Sequence, residues 1–444
     1  MSEVTKAAVM KASGCPVSHT DYTVPRPLFE TYELLNAERE QGPFLWNDSR
    51  RRPFWMITEY EHVLEALQMP DVFSNEVISA LSPEHTFDLL PQFLDPPEHT
   101  AMRRVLNRWF APAAVRRLEP LVLSRCIELI EELRPVGGCD LVSDFAIRFP
   151  TDLFLATLNL PMSDGDVFLG HVENVFKSFA GRELEAAARS TDWIRDYFDR
   201  AITAREREPR DTEMDFISRL LVSELGGAPI PREDIITICY TAMLAGLDTT
   251  RSALGYIFHH LARDPDLRHR LTGEPSLWPK AVEEFVRLYP LVYMDGRLVT
   301  RDLDFHGVPM RKGDIVWLGL GTANHDPKKF AGPRTFDIDR EHVNHHLSFG
   351  AGPHRCLGMH LARHELVIAV SEWHKRIPDY EIATTEQLYE RGAQLSINRL
   401  PLRWEVLWEV LWVPCCPSTN PAAPGTGAAT RRRRSCSAMT TRDS

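Results

Sequence analysis

The sequence is poor in the features that mark disulfide-rich, zinc-binding and nucleic-acid-binding proteins. Its 444 residues include only eight cysteines and no CxxC pair, which excludes a disulfide scaffold and a zinc finger and indicates a reducing compartment. The net charge of −11 argues against nucleic acid as a partner, because binding phosphates requires an excess of lysine and arginine. The chain does have 43% hydrophobic residues, enough to bury a large core.

Long apolar segments are also missing. The longest one, residues 235–247, contains two threonines and ends at Asp248, so it is too short to span a bilayer. Residues 1–20 carry lysines without an apolar run, which is typical of neither a signal peptide nor a membrane anchor. We therefore expect no membrane association and a cytoplasmic location.

No Gly/Ser-rich linker or charge run separates Tyr22 from Trp404, and no repeat of fixed period is found there. The sequence therefore predicts a flexible N-terminus over residues 1–21 and a single domain over residues 22–408. At the end of that domain the segment EVLW occurs twice in succession, followed by a stretch rich in proline, alanine, glycine, serine and arginine. Such a composition cannot bury a core, so residues 409–444 are predicted to be a disordered tail.

The most informative stretch is residues 349–358, with the sequence FGAGPHRCLG. After Cys356, apolar residues recur at helical spacing at Leu357, Leu361 and Leu366, which predicts a helix that starts close to the cysteine. The N–H groups and partial positive charge of a helix N-terminus lower the pKa of a cysteine and favour the thiolate. Glycines at 350, 352 and 358 allow a flat ligand to approach the loop closely. The alternative is a buried structural cysteine in a glycine-rich turn.

This loop resembles the proximal loop of cytochrome P450 enzymes, because the pattern F-G-x-G-x-H-x-C-x-G is matched at every fixed position. The resemblance implies haem b as the cofactor, with Cys356 as the axial thiolate ligand of the iron. It also implies that Phe349 packs beside the sulfur and that His354 and Gly358 belong to the haem-binding loop. The implied fold is mainly α with small β-sheets, a triangular helical prism around a buried haem.

Residues 232–262 are predicted to form one long helix that contains the segment AGLDTT in its middle. A glycine within a helix costs about 1 kcal/mol relative to alanine, and adjacent threonines add strain, so this segment requires an explanation. One explanation is a kink in which the Asp and Thr side chains bond to nearby backbone. The P450 resemblance implies another: a locally opened helix forms the oxygen-binding groove, with Thr249 as a hydrogen-bonding residue and Asp248 as a proton relay.

The resemblance assigns two further sets of residues. Haem propionates need cationic or hydrogen-bonding partners if they lie below the surface, and four residues match family positions for this role: His99, Arg103, Arg297 and His354. A buried structural ion network that supports the proximal side is implied for Glu284, Arg287 and Arg340. An acid and a base three residues apart on a helix would by themselves be a weak signal.

Strands are predicted near residues 54–58, 297–305, 314–318 and 393–403, in agreement with the small sheets of the family. Three segments bring the sequence closest to the bacterial, soluble, camphor-hydroxylating type: residues 294–297, 305–308 and 376–380. This similarity concerns relatives and identifies no substrate.

The sequence has no flavin or iron–sulfur cysteine pattern, so electrons must come from another protein. The resemblance implies a ferredoxin and a ferredoxin reductase that uses NADH or NADPH. Such carriers are acidic, and a local basic patch can steer an acidic partner even on an acidic protein. The arginines predicted to form this patch are Arg104, Arg108, Arg355 and Arg363. Solvated surface arginines that bind no partner are the alternative.

The implied activity is that of a haem-thiolate monooxygenase, an oxidoreductase that uses O2 to hydroxylate a small hydrophobic substrate, terpenoid-like or similar. By approximate alignment the pocket residues are Phe87, Thr241, Leu244, Ala245, Tyr293 and Ala393. One alternative is a peroxide-driven haem-thiolate peroxygenase, whose members usually lose the distal acid and alcohol that Asp248 and Thr249 supply here. The other is a non-catalytic haem gas sensor or carrier, which needs neither a proton relay nor a docking patch.

Overall fold

Helices carry most of the chain, as the sequence predicts. The computed structural model describes residues 14–50, 52–81, 88–178, 183–392 and 395–406, all within one unit that ends at Val406. Its α-helices, in chain order, are α1 (Glu30–Gln41), α2 (Tyr60–Leu67), α3 (Glu98–Phe110), α4 (Pro112–Leu133), α5 (Arg148–Thr157), α6 (Gly165–Ser178), α7 (Leu184–Arg207), α8 (Phe216–Leu221), α9 (Arg232–Arg263), α10 (Pro265–Gly273), α11 (Trp278–Leu288), α12 (Leu320–Asn324) and α13 (Met359–Arg376).

The strands are short and form small sheets. In chain order they are β1 (Val17–Ser18), β2 (Arg26–Pro27), β3 (Phe44–Asn47), β4 (Phe54–Ile57), β5 (Phe73–Ser74), β6 (Gly138–Asp140), β7 (Glu224–Leu225), β8 (Ala228–Pro229), β9 (Asp295–Val299), β10 (Leu303–Phe305), β11 (Val308–Met310), β12 (Ile315–Leu318), β13 (Glu381–Ile382), β14 (Tyr389–Glu390) and β15 (Pro401–Arg403).

The largest sheet has the strand order β1-β3-β4-β12-β9-β5. Strand β1 runs parallel to β3 and β4 runs parallel to β12, whereas the other neighbours are antiparallel. The other sheets of the described residues are β13-β15-β6 and the two-stranded β10-β11, β14-β2 and β7-β8.

The predicted strands at residues 54–58, 297–305 and 314–318 agree with β4, with β9 and β10, and with β12. The prediction for residues 393–403 is wrong over most of its described length, because only β15 is a strand and Ile397 makes a single bridge. At the N-terminus Val17 pairs with Trp46, so regular structure begins before the predicted boundary at residue 22. Residues 1–13 and the predicted tail, 409–444, lie outside the described residues.

Helix α9 belongs to two apolar clusters at once. Its N-terminal half, which includes Met243 and Leu247, packs with residues of α3, α6, α7 and α8, here called cluster B. Its C-terminal half, which includes Leu254 and Phe258, packs with residues of α4, α5, α11 and α13, here called cluster A. At 32 residues α9 is about 48 Å long, yet neither it nor another described helix is long and apolar enough to cross a membrane.

A buried ion network joins α11 to the loop that leads towards the cysteine. The carboxylate of Glu284, 1% exposed, accepts hydrogen bonds from Arg287 Nε at 2.7 Å and from Arg340 Nε at 2.9 Å. Arg287 also donates to the carbonyl oxygens of Asn324 and Pro333, at 2.9 and 2.7 Å. The three residues predicted to form a structural network are therefore in contact, and their guanidinium groups tie α11 to α12 and to the chain before the cysteine loop.

We expect Glu284→Ala to destabilise the fold by about 3–5 kcal/mol, because it leaves two buried guanidinium groups without their carboxylate. Urea unfolding followed by circular dichroism measures the change in the free energy of unfolding. The matched control is Glu381→Gln, which removes the charge of an exposed partner of Arg403 and should leave the unfolding midpoint unchanged. Equal midpoints for Glu284→Ala and the control would contradict the structural role of the network.

Candidate functional site

The loop of Cys356 is shaped by backbone contacts. The N–H of Cys356 donates to the carbonyl oxygen of Phe349 at 2.8 Å, which closes the loop, and α13 begins three residues after the cysteine at Met359. Gly350 and Gly352 have φ values of 65° and 66°, a region in which other residues are strained. A Cβ at Gly352 would lie 2.3 Å from the carbonyl oxygen of Leu67, so no larger residue fits there.

Cys356 lies between the two apolar clusters. Leu357 packs against cluster B, whereas Leu361 and Leu366 belong to cluster A. The cysteine is nonetheless exposed, and so are Ala245 and Gly246 in the middle of the otherwise buried helix α9. Accessible residues at these positions indicate an interior cavity between α9 and the cysteine loop.

The electrostatic balance at Cys356 differs from the expectation. Desolvation by the surrounding protein raises the pKa of the thiol, and this outweighs the N–H of Gly358 and the charges of Arg103, Arg363 and Arg355, which lower the pKa. The predicted lowering by a helix N-terminus is therefore outweighed in the protein alone, because the sulfur, although it is accessible from the cavity, is enclosed by the surrounding protein. A metal cation in contact with the sulfur would supply the missing stabilisation of the thiolate.

Helix α9 is continuous through the segment AGLDTT, so the predicted local opening is absent from this described helix. The hydroxyl of Thr249 donates to the carbonyl oxygen of Ala245 at 2.8 Å, which leaves its lone pairs as acceptors. Gly246 faces open space, since a Cβ there would meet no atom within 4 Å. The segment therefore provides room and one half-buried hydroxyl beside the cavity.

The next threonine faces the other way. Thr250 Oγ1 donates to Glu365 Oε2 at 2.9 Å, and Glu365 lies on α13 two turns after the helix begins. This hydrogen bond joins the helix of the AGLDTT segment directly to the helix that follows Cys356. The two motifs that the sequence separates by about a hundred residues thus belong to one site.

The four residues predicted to bind propionates lie close together. The rings of His99 and His354 stand 3.9 Å apart, and burial lowers their pKa values to about 4 and about 2. After burial, the charges of His99, Arg297 and Arg103 lower the pKa of His354 further. Arg103 donates to the carbonyl oxygen of Arg355 at 2.7 Å, while Arg297 is held by Asp295 at 2.7 Å. The residues form a compact group of two neutral imidazoles and two guanidinium groups, one of which is paired with Asp295.

Several observations fit haem at this site. The Nδ1 atoms of His99 and His354 and the Nε2 atom of His354 are buried and lack a hydrogen-bond partner, although buried polar atoms are nearly always bonded. Asp95 Oδ1 lies 3.8 Å from His354 Nε2, beyond hydrogen-bonding distance. Gly246 on α9 and Gly358 after the cysteine both face open space, since a Cβ at either would meet no atom within 4 Å. A flat, dianionic macrocycle that presents a metal to Cys356 satisfies all three features.

Comparison with known proteins agrees with this geometry. The sequence profile of the cytochrome P450 family matches residues 154–373. Probable cytochrome P450 127A1 of Sinorhizobium fredii is 32% identical over 388 residues, which cover 86% of this chain and 91% of that protein. The chain belongs to the cytochrome P450 family. It is a haem-thiolate monooxygenase, an oxidoreductase with an iron-containing cofactor.

Other similar P450 proteins have named activities. The 20-oxo-5-O-mycaminosyltylactone 23-monooxygenase of Streptomyces fradiae is 31% identical, with 91% of this chain and 95% of that protein covered. The methyl-branched lipid omega-hydroxylase of Mycobacterium tuberculosis is 33% identical, with 79% and 84% covered. The crystal structure of CYP101J2 has a TM-score of 0.79 and 29% identity, covering 88% of this chain and 97% of that one. The crystal structure of CYP101C1 has a TM-score of 0.78 and 28% identity, covering 88% and 98%.

The predicted pocket residues divide into three groups. Ala245 is exposed at the cavity and Thr241 is half-buried, with its hydroxyl bound to the carbonyl of Thr237 at 2.8 Å and to the N–H of Leu90 at 3.0 Å. Leu244 packs in cluster B, and Tyr293 is buried beside Tyr22 and Trp317; for these two residues the place in the pocket stays a prediction. The remaining two residues lie outside the described part of the chain: Phe87 and Ala393.

The predicted redox-partner patch is reduced from four arginines to three. Arg104, Arg108 and Arg355 are exposed and make no ion pair with another described residue. Arg363 is half-buried, donates to both carboxylate oxygens of Glu283 at 2.7 and 2.6 Å and stacks over the ring of Phe349. Its charge is neutralised in the structure, so its predicted place in a docking patch is corrected to a support for the cysteine loop.

The structure reveals three site residues that the sequence analysis missed. Arg251 and Arg391 both contact the carboxylate of Asp248, and Glu365 binds Thr250. The position of Arg251, three residues after Asp248 on a helix, was a signal for its contact. For Arg391 and Glu365 the sequence offers none, because each lies more than a hundred residues from its partner.

Burial raises the pKa of Glu365 to about 8, and the hydrogen bond from Thr250 opposes this only in part. The folded protein therefore binds a proton that the unfolded chain releases above about pH 4.3, so the free energy of unfolding falls as the pH rises towards 8. In Glu365→Gln this contribution, up to about 1.4 kcal/mol per pH unit, disappears. Urea unfolding from about pH 5 to about pH 8 should show the variant gaining stability over the wild type as the pH rises. Parallel pH profiles would contradict the buried neutral carboxyl.

Proposed function

We propose that this P450 hydroxylates a small hydrophobic substrate with O2, using electrons from a ferredoxin and an NAD(P)H-dependent reductase. One observation carries the proposal: α9 has accessible residues at its centre, Cys356 is accessible as well, and a hydrogen bond ties α9 to the helix that follows the cysteine. The overall balance is RH + O2 + two electrons + two protons, giving ROH and water. When bound, haem supplies the activation of O2.

The chain's own residues have distinct roles in this proposal. Cys356 is the thiolate ligand, and Phe349 and Arg363 support its loop. His99, Arg103, Arg297 and His354 hold the propionates, because the histidines have buried nitrogens without a partner and the arginines beside them are cations. The Thr249 hydroxyl accepts a hydrogen bond through its free lone pairs and so orients a proton where O2 binds. Asp248, one residue earlier, supplies the protons.

The substrate class is inferred from the walls of the cavity and from relatives. Ala245 and Gly246 line it without a charged group of their own, and Thr241 has its hydroxyl occupied by backbone. These features favour an apolar molecule over one that needs a hydrogen-bonding partner at Thr241. Among the relatives, the methyl-branched lipid omega-hydroxylase is named for a lipid, which supports a hydrophobic substrate for this chain.

The electron supply is inferred from surface charge. Arg104 and Arg108 follow Arg103 on α3, and Arg355 precedes the cysteine, so their charges lie on the same side of the molecule as the candidate ligand loop. Such a group of unpaired arginines can steer an acidic ferredoxin towards the cofactor, despite the net charge of −11.

The first experiment is the carbon monoxide difference spectrum of the reduced protein. We expect the strongly red-shifted band of a thiolate-ligated haem in the wild type, because Cys356 faces the cavity. Cys356→Ser should lose the band, and the control Cys139→Ser, at a half-buried cysteine of β6, should keep it. A band that persists in Cys356→Ser would overturn the assignment of the ligand.

A second experiment tests the distal hydroxyl. Thr249→Ala should keep haem and the carbon monoxide band but release hydrogen peroxide, with product per NAD(P)H reduced about tenfold because proton delivery is disturbed. The control is Thr237→Ala, which removes a threonine with the same backbone hydrogen bond, to Glu233 at 3.0 Å, nearer the helix start.

The measurement uses a ferredoxin system and the compound that gives the largest spectral shift in a panel of terpenoids and fatty acids. Unchanged coupling in Thr249→Ala would contradict the role of the hydroxyl. Turnover with hydrogen peroxide but none with the ferredoxin system would favour the peroxygenase, and binding without turnover by either route would favour the gas carrier.

A further inference from the structure

The two oxygen atoms of the Asp248 carboxylate have different contacts. Its Oδ1 atom contacts Arg391 Nη2 at 2.5 Å and Arg251 Nη1 at 3.4 Å. Its Oδ2 atom is buried and has no hydrogen-bond partner among the described residues. The residue is only 2% exposed, so one oxygen is committed to two cations while the other is available inside the protein.

Unpartnered atoms also surround this carboxylate. The Nε atoms of Arg251 and Arg391 are buried without a partner among the described residues, as is Asp248 Oδ2. Ordered water is the usual partner of such atoms in folded proteins, provided several of them converge. The Arg391 side chain is 23% exposed although Asp248 is nearly inaccessible, so the guanidinium extends from the surface to the buried acid.

The backbone at Arg391, whose side chain reaches Asp248, is held by contacts with neighbouring backbone. Its N–H donates to the carbonyl oxygen of Ser396 at 3.0 Å, directly after β14. The following residue, Gly392, packs so closely that a Cβ would lie 2.4 Å from the carbonyl carbon of Thr23. The guanidinium lies 5.8 Å from the ring of Phe176 on α6. These contacts hold the backbone at Arg391 and Gly392 while the guanidinium of Arg391 reaches Asp248 on α9.

We propose that Arg391 is a positioning residue for proton delivery: it binds Asp248 Oδ1 and thereby presents Oδ2 as the atom that carries the proton. Arg251 assists from the same helix, and Glu173 on α6 acts on Arg251 rather than on the carboxylate. The proton moves from water at the exposed end of Arg391 to Asp248 Oδ2 and then towards Thr249. Asp248 gains one proton from the water side and releases one towards Thr249, so the carboxylate is unchanged at the end and no electron is transferred. This inference rests on the proposed role of Asp248 as the proton source.

Arg391→Gln tests the proposal, because glutamine keeps most of the side chain and removes the charge. We expect the rate of product formation to fall about tenfold, as an acid that is present but misplaced loses part of the benefit of proton transfer. The solvent isotope effect in D2O should rise, while the dissociation constant from the spectral titration stays the same. Arg391→Lys should recover part of the rate, because it restores the cation without the planar fork.

The matched control is Arg399→Gln, the same exchange at an exposed residue paired with Glu386; it should behave as the wild type. An independent readout of the contact is the infrared carboxylate band of Asp248, obtained as the difference from Asp248→Asn, which should shift in Arg391→Gln but not in the control. If Arg391→Gln binds haem poorly, Arg391→Met, which keeps most of the length of the side chain and also removes the charge, decides: wild-type rate and isotope effect together with an unshifted band would overturn the proposal.

Asp248→Asn separates this inference from the proposed function. If Asp248→Asn slows product formation and Arg391→Gln does not, the relay stands and the positioning role is wrong. If Asp248→Asn itself has the rate and isotope effect of the wild type, the relay is wrong and the role of Arg391 falls with it. Faster turnover in Arg391→Gln would also overturn the proposal, since the arginine would then restrain the acid instead of presenting it.

Discussion

The placement of helix α9 in two apolar clusters is the constraint on which the site depends. A helix that buries its halves in different clusters cannot slide along its axis without opening one of them, and close-packed interiors resist such changes. Its central turn is therefore held opposite the loop of Cys356, whose neighbours enter the same two clusters. The hydrogen bond from Thr250 to Glu365 fixes the rotation of the helix as well. Apolar packing, more than contacts among functional groups, thus aligns the two sides of the cavity.

The buried polar and charged groups of the structural ion network are fully hydrogen-bonded, whereas those beside the cavity are not. Glu284 is fully neutralised by Arg287 and Arg340, and the guanidinium groups are bonded to carbonyl oxygens, which is the arrangement of a structural network. His99 and His354, in contrast, keep unbonded nitrogens, and Asp248 is bonded through only one oxygen. Since folded proteins rarely leave buried polar atoms unpaired, the incomplete groups mark where the molecule acts on something else.

The local parts of this design could be predicted from the sequence. The loop of residues 349–358, the long helix and three of the strand positions follow from short-range patterns of glycine and apolar residues, and the P450 resemblance adds the buried ion network. Contacts between distant residues, such as Arg391 with Asp248, leave no such pattern. The direction of the Cys356 pKa shift was misjudged because a helix terminus is a local feature, whereas desolvation depends on the whole fold. Alignment likewise placed Tyr293 near the pocket but could not show that its ring is covered by Tyr22 and Trp317.

The parallel pairing of β4 with β12 has a consequence for folding while the chain is being synthesised. Trp55 pairs with Val316, which leaves the ribosome about 260 residues later, or on the order of 10–50 s at ordinary elongation rates. During that interval one edge of β4, with its apolar Phe54–Ile57, has no partner strand, and β3 covers only the other edge. Nascent chains with an uncovered apolar edge are prone to associate with one another. The yield of soluble protein should therefore depend on translation speed and on chaperones that bind extended apolar segments, independently of the stability that the finished molecule attains.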